Sequence, residues 1–121
     1  MATTPLTFTR TDQVHTTDAT VTTIALYTLP DETIFEAFVL VVARTTGGVK
    51  ATYQRTIGGD REGGAAATAQ ASTTTRSVED VAGWDVTADA SGNDIRLRVT
   101  GAAATAIDWL AVTWGVMLTT S

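Results

Sequence analysis

The stretch GWDVTADASGNDIRLRVTG, residues 83–101, alternates apolar and polar side chains on both sides of a Gly-Asn pair. A two-residue loop at Gly92-Asn93 suits a type II′ turn, in which glycine occupies the first position. Counting outward from this loop places Val86 opposite Val99, with the other apolar side chains on the same face. The stretch therefore predicts a β-hairpin with one apolar face, and an antiparallel fold around it.

The polar face of this hairpin carries carboxylates and guanidinium groups that the same register brings together. Asp89 falls opposite Arg96, and Asp85 lies diagonal to Arg98. Such cross-strand pairs stabilise a hairpin by roughly 0.2–1 kcal/mol each, and an arginine lowers the pKa of a neighbouring carboxylate. A general acid or base needs a desolvated carboxylate instead. These charges are therefore interpreted as structural.

A metal site is the competing interpretation of the same hairpin. Asp89, Asn93 and Asp94 are close in sequence, but DASGND does not have the ligand spacing of a calcium loop. The chain has no cysteine, and its one histidine, His15, lies in a polar N-terminal segment. We therefore expect no catalytic residue, no cofactor and no bound metal, and we expect that the protein is not an enzyme.

Two other motifs also have a functional and a structural interpretation. GGDREGG, residues 58–64, is rich in glycine, but it precedes no helix and lacks the lysine of a phosphate-binding loop. We expect an exposed loop there, with contact to a partner as its functional interpretation. Trp109 and Trp114 could form a sugar-stacking platform, but residues five apart on a strand point to opposite faces. Packing in the core or in an interface explains them better.

Composition limits the possible partners of the chain. The 121 residues are enough for one domain, and their formal net charge is −5. A net negative charge argues against a nucleic-acid partner, because binding to phosphates depends on lysine and arginine. No apolar run approaches the roughly 20 residues of a membrane helix, so we expect no membrane insertion.

The rest of the chain consists of short segments of strand character separated by turn signals, and threonine, a β-branched residue, is its most frequent type. The pattern predicts an all-β fold: an antiparallel β-sandwich, jelly-roll-like, with seven or eight strands. The sandwich is assigned to residues 20–121 and an extended arm to residues 1–19. Residues 65–76 are expected to be a strand, and residues 77–83 a connection with a single helical turn capped by Ser77.

A second hairpin is predicted at Gly47-Gly48, and its register leaves an apolar face without cover. Counting outward pairs Val42 with Tyr53, which places alternate valines of residues 33–45 on a second face. Residues 105–118 are also apolar on both sides. Contiguous exposed apolar surface marks interaction sites, and a closed homo-oligomer would cover it. The residues expected at this interface are Val39, Val41, Leu110, Val112 and Trp114.

Three phrases of the sequence resemble a known group of proteins. RTDQVHTTDATVTTI, VVARTTGG and VEDVAGWDVTADASGNDIRLRVTGAAATAIDW resemble β-sandwich proteins encoded in the structural gene regions of tailed bacteriophages. These include capsid decoration proteins, head fibres and the tips of tail fibres. The resemblance implies a non-enzymatic component of the virion exterior, assembled in the host cytoplasm, with a trimer as the expected homo-oligomer.

A capsid decoration or head-fibre protein is the function expected first, because the sequence contains neither a fibre shaft nor a heptad repeat. The alternative is a tail-fibre tip or receptor-binding module that recognises host surface glycans. In the first case the arm would bind the major capsid protein or another virion protein. The arm residues expected at that contact are Leu6, Phe8, Arg10 and Val14.

Overall fold

The computed structural model describes residues 3–120, and within that range the chain forms nine β-strands and no helix. The strands are β1 (Thr3–Thr16), β2 (Thr22–Thr28), β3 (Thr33–Arg44), β4 (Lys50–Arg61), β5 (Thr68–Ala69), β6 (Thr73–Glu79), β7 (Asp85–Ser91), β8 (Asp94–Thr100) and β9 (Ile107–Thr120). Neighbouring strands pair antiparallel. The count exceeds the seven or eight strands predicted because residues 65–76, expected to be one strand, contain the two-residue β5 and the start of β6.

The strands form two sheets that pack face to face. The larger sheet has six strands in the order β1-β9-β3-β4, with β5 and β6 both paired to β4; the smaller has the order β2-β8-β7. The predicted all-β antiparallel sandwich is confirmed. The first strand, β1, pairs with the last, β9, and β2 pairs with β8, which is a jelly-roll-like arrangement. The strands β3 and β4 form a hairpin within the larger sheet.

The hairpin at residues 83–101 has the predicted register. Ser91 and Asp94 form the last pair of β7 and β8, so that Gly92 and Asn93 are the loop. Gly92 has a φ of +57°, as the first position of a type II′ turn requires. Val86 lies opposite Val99, and both are buried.

The register of the β3–β4 hairpin differs from the prediction by one residue. Arg44 pairs with Lys50, so the loop has five residues rather than two. Thr45 closes this loop: its Oγ1 accepts a hydrogen bond from the amide of Val49 at 3.1 Å, and its own amide donates to the carbonyl of Val49 at 2.8 Å. Gly48 supplies the positive φ, +95°, within the loop.

The shifted register exchanges the two faces of β3, because side chains alternate with a period of two. Val41 pairs with Tyr53, and both lie in the core. The placement of Val39 and Val41 on the uncovered face is therefore wrong, since both have 0% exposure. Their neighbours Phe38 and Val42 point outward instead.

Residues 3–16 belong to the sandwich and do not form the separate arm expected from the sequence. β1 pairs with β9 along its whole length, from Thr3 opposite Thr120 to Thr16 opposite Ile107. The physical reason is that alternate side chains of β1, among them Phe8, fill the inner side of the larger sheet. The Nε1 of Trp109 also donates a 2.9 Å hydrogen bond to Thr16 Oγ1.

Two boundaries in residues 58–79 also differ from the prediction. β4 continues through Gly58 and Gly59, which are buried in the strand. A Cβ at Gly59 would lie 2.5 Å from the carbonyl oxygen of Thr68, so β5 can approach only a glycine. Ser77 lies in β6 and caps no helical turn. The weak apolar pattern of residues 65–79 did not define where the strand begins.

Aromatic side chains divide the core between the sheets into two ends. At one end the ring of Phe35 stacks on those of Phe8 and Tyr27, and at the other end the ring of Trp109 lies beside those of Tyr53 and Trp84. The Tyr27 hydroxyl is paired with Thr113 at 2.5 Å, while burial raises its pKa. The core thus buries the inward face of the larger sheet. No other segment of residues 3–120 covers the outward face of this sheet.

Candidate interaction surface

The charged hairpin has a self-contained network on its polar face. Arg96 donates two hydrogen bonds to the Asp89 carboxylate, at 2.7 and 2.6 Å, and Arg98 lies 3.6 Å away. The hydrogen bonds from Arg96 lower the pKa of Asp89. Asp85 contacts Arg55 at 3.4 Å rather than the expected Arg98.

Arg55 is a buried charge that sequence reasoning missed. Its side chain is 3% exposed and donates to the carbonyl oxygens of Arg76 at 2.9 Å and Val86 at 3.1 Å. It also lies over the ring of Tyr53, 5.1 Å from the centroid. The signal was available, because Arg55 has the same parity as the inward residues of β4. Its bonds join β4 to β6 and β7, so its role is structural.

His15 lies beside Asp108, with Nδ1 and Oδ1 2.7 Å apart. The two side chains are 54% and 81% exposed, at the outward ends of β1 and β9. Neither is held by burial in one geometry, which a catalytic pair needs. Among residues 3–120, no group of three or more histidine, aspartate and glutamate side chains has the arrangement of a metal site.

The backbone amides of the glycine-rich loop after β4 are hydrogen-bonded to carboxylates of the same chain. The amide of Gly64 donates to both carboxylate oxygens of Asp31, at 3.1 and 3.0 Å, and the amide of Gly63 donates to Glu32 at 2.8 Å. These amides would be the groups of a phosphate cradle. Their bonds clamp the loop to the turn between β2 and β3 instead.

The residues expected to dock on a capsid do not form one exposed surface. Phe8 lies beneath Gly115 against the core, and Val14 is half-buried opposite Trp109. Arg10 donates to the carbonyl oxygen of Leu26 at 2.6 Å and so ties β1 to the smaller sheet.

Asp12 supports this arginine. It accepts two hydrogen bonds of 2.9 Å from Arg10, and these raise the pKa of the guanidinium. Leu6 alone among the four expected docking residues is well exposed, at 51%. Docking of these residues on a capsid stays a prediction.

The outward side of β3 and β9, here called the outer face, carries seven of the twelve large hydrophobic residues that are exposed among residues 3–120. Its apolar residues are Ile34, Phe38, Leu40, Val42, Leu110, Val112, Trp114, Val116 and Leu118. Leu110, Val112 and Trp114 lie there as predicted, while Phe38, Leu40 and Val42 replace the two valines. Most monomeric proteins do not expose contiguous apolar patches of this kind without a function.

The outer face has an aromatic centre, and hydroxyl and amide side chains of β1 and β4 flank that centre. Trp114 and Phe38 are 44% and 38% exposed, and their ring centroids lie 6.2 Å apart. They line a shallow depression of about 560 Å³ together with Glu36 and nearby threonines. The flanking outward residues are Thr7, Thr9 and Thr11 on β1, and Thr52, Gln54 and Thr56 on β4. An apolar centre rich in aromatic residues with a polar rim is typical of protein interfaces.

The part of the chain that the structure describes contains no helix long and apolar enough to cross a membrane. No protein-family model and no curated protein matches the sequence. Among solved structures, the fold matches the tailspike protein of Acinetobacter phage vB_ApiP_P1, with a TM-score of 0.53 at 13% sequence identity. The match covers 89% of this chain and 22% of the tailspike. The sandwich is therefore shared with a segment of a much longer phage protein.

Proposed function

We propose that this chain is a non-enzymatic β-sandwich module on the exterior of a tailed-phage virion, and that it belongs to the tail. The observation that carries the proposal is the match of nearly the whole sandwich to a segment of a phage tailspike. The phage-like phrases of the sequence point to the same class of particle independently. The partner implied is another virion protein.

The tail is favoured over the capsid decoration role by the position of β1. In the decoration role a free polar arm would bind the capsid, but residues 3–16 are paired with β9. The non-enzymatic role is supported by the charged residues: Asp89 and Arg55 hold strands together. His15 and Asp108 stand exposed at strand ends.

Recognition of a host surface glycan is the second candidate function. It is favoured by the exposed pair of Trp114 and Phe38 and by the threonine hydroxyls and the Glu36 carboxylate around it. Ligand sites commonly combine aromatic surface with a few polar groups. A glycan would have to share this surface with whatever covers the rest of the outer face.

Immunogold labelling tests the location. Antibodies raised against the purified protein are applied to intact particles of the phage that encodes it, and labelled particles are viewed by electron microscopy. Gold confined to the tail supports the proposal. Gold distributed over the head would return the protein to the decoration class, and particles that carry none of the protein would overturn the virion proposal altogether.

A further inference from the structure

The outer face is too apolar to remain in contact with water without a cost. Each square ångström of apolar surface removed from water contributes roughly 25 cal/mol. Several of its side chains are about half exposed, among them Val116 at 50% and Ile34 at 52%. In the small sheet, by contrast, Leu26 is the one large hydrophobic residue of β2 that is exposed to this degree, at 47%.

The area of this surface fits a second copy of the same chain. β1 and β9 are 14 residues long, and β3 and β4 are 12. At about 3.3 Å per residue and about 4.8 Å between strands, four such strands offer about 40 by 19 Å, or about 760 Å². A standard specific interface buries about 800 Å² per partner. An identical face on another copy therefore has the size that a stable dimer needs.

Two charges on β3 indicate how the copies would be oriented. Glu36 and Arg44 both point outward, and Leu40 lies midway between them. Neither side chain has an ion-pair partner within residues 3–120. Lys50 lies beside Arg44 on β4 and is paired with Asp80 at 3.7 Å, and Asp108 lies beside Arg44 on β9, 2.7 Å from His15. The charges that flank Arg44 therefore already have partners of their own.

We propose that a second copy covers the outer face in a face-to-face pair, with the two β3 strands antiparallel and crossing at Leu40. A twofold axis there places Glu36 of each copy against Arg44 of the other. It also places Phe38 against Val42 of the second copy. Because Leu40 pairs with Val112 within one chain, the same axis places Trp114 against Leu110 of the second copy. An isologous contact of this kind forms each pairing twice.

The pair does not depend on the proposed function, since it follows from the surface alone. The threefold assembly implied by the phage resemblance is the competing arrangement. If the strands ran parallel to a threefold axis, equivalent residues of the three copies would lie at the same level along that axis. The three Glu36 carboxylates would then approach one another. Like charges across an interface are unfavourable, so the twofold pair is preferred.

Sedimentation equilibrium of the full chain, at concentrations on the order of tens of micromolar, tests the surface. Leu110→Asp places a charge in the outer face, and Leu26→Asp places the same charge at a similarly exposed leucine of the smaller sheet. A dimeric wild type, a monomeric Leu110→Asp and a dimeric Leu26→Asp are expected. A monomeric wild type, or a Leu110→Asp protein that remains dimeric, overturns the proposal. Val116→Asp replaces Leu110→Asp if the latter does not fold.

A charge exchange tests the orientation. Glu36→Arg and Arg44→Glu should each weaken the dimer by about tenfold or more, because each creates two like-charge contacts. The double variant should recover most of the wild-type affinity, while Glu62→Arg, in the loop after β4, serves as the control. A trimeric wild type, or a double variant in which the two losses add, overturns the antiparallel pair.

A glycan array probes the other occupant of this face. The monomeric Leu110→Asp protein and the wild type are compared on the same array. Absence of binding by both is expected. Glycan binding by a monomeric wild type that is lost on Trp114→Ala would assign the face to glycan and overturn the proposal. Neither result changes where gold-labelled antibody finds the protein, so the proposed function is tested separately.

Discussion

Gly115 lies in the middle of β9 because the ring of Phe8 occupies the space of its missing side chain. A Cβ at this position would be 2.7 Å from Phe8 Cε1 and still closer to Cζ. We expect Gly115→Ala to lower the free energy of unfolding by about 1–3 kcal/mol, the usual cost of overpacking. Urea denaturation gives this difference.

Gly47→Ala is the matched control for this substitution. The nearest atom to a Cβ at Gly47 is Thr45 Oγ1 at 3.8 Å, an ordinary contact, so its stability should stay close to that of the wild type. Phe8→Ala combined with Gly115→Ala should cost less than the sum of the two single changes, since the pair would no longer collide. Equal stability of Gly115→Ala and Gly47→Ala would contradict the packing of Phe8 against β9.

Asp89 couples stability to pH through its bonds to Arg96. Its folded-state pKa is lowered, so its contribution is present above the unfolded pKa of about 3.9 and is lost as the pH falls through the folded value. We expect the wild type to lose stability below about pH 4 more steeply than Asp89→Asn. Parallel profiles of the wild type and Asp89→Asn would refute this coupling.

At the scale of the elements, Arg55 on β4 joins this strand to β6 and β7. Its guanidinium satisfies backbone carbonyls of β6 and β7 at the bulge where the β4–β6 register shifts. Arg55→Met would keep much of the volume and leave those carbonyls without a donor. We expect a loss of about 3 kcal/mol, because buried groups without partners cost the most.

Two substitutions of exposed residues near Arg55 serve as controls for the loss of its buried hydrogen bonds. Arg76→Met removes an exposed guanidinium from the neighbouring strand, and Asp85→Asn weakens a contact whose carboxylate is 54% exposed. Each should cost less than about 1 kcal/mol. A thermal or urea midpoint for Arg55→Met similar to that of Arg76→Met would show that Arg55 is not a structural clamp.

The two hairpins explain how much of the fold could be predicted from the sequence. The Gly92-Asn93 turn allows one short loop, so its register and the pairing of Asp89 with Arg96 followed directly. Residues 45–49 allow either a two-residue or a five-residue loop, and the choice rests on a Thr45 hydrogen bond that no pattern of apolar residues reveals. One residue of shift was enough to exchange the faces of β3 and with them two of the five residues of the expected interface.

β1 was missed for a different reason, which lies in the tertiary structure. Its outward threonines make it polar, and its inward residues Phe8 and Val14 are apolar at wide spacing. The strand is stabilised by the edge of β9 and by the inner side of the sheet, neither of which is local in sequence. The outer face could be predicted from β9 alone, because that strand is apolar on both sides whatever its register.

At the scale of the whole molecule, β1 closes the sandwich. It covers the edge of β9 over 14 residues, and Arg10 and Thr16 bond to Leu26 and Trp109, which lie in different sheets. A variant that begins at Thr17 would expose the full edge of β9, and open edges pair with other chains.

We therefore expect the variant that begins at Thr17 to lose its near-ultraviolet circular dichroism and to aggregate, rather than to leave a folded sandwich. The control changes the same strand without opening the edge: Thr7, Thr9 and Thr11 point outward, and their joint replacement by serine keeps every backbone bond of β1. That control should fold with nearly the wild-type melting temperature. A truncated protein that remains soluble, with native near-ultraviolet dichroism and an unchanged midpoint, would mean that residues 17–120 fold without β1. The strand would then be free to exchange its pairing with β9 for a contact with another virion protein.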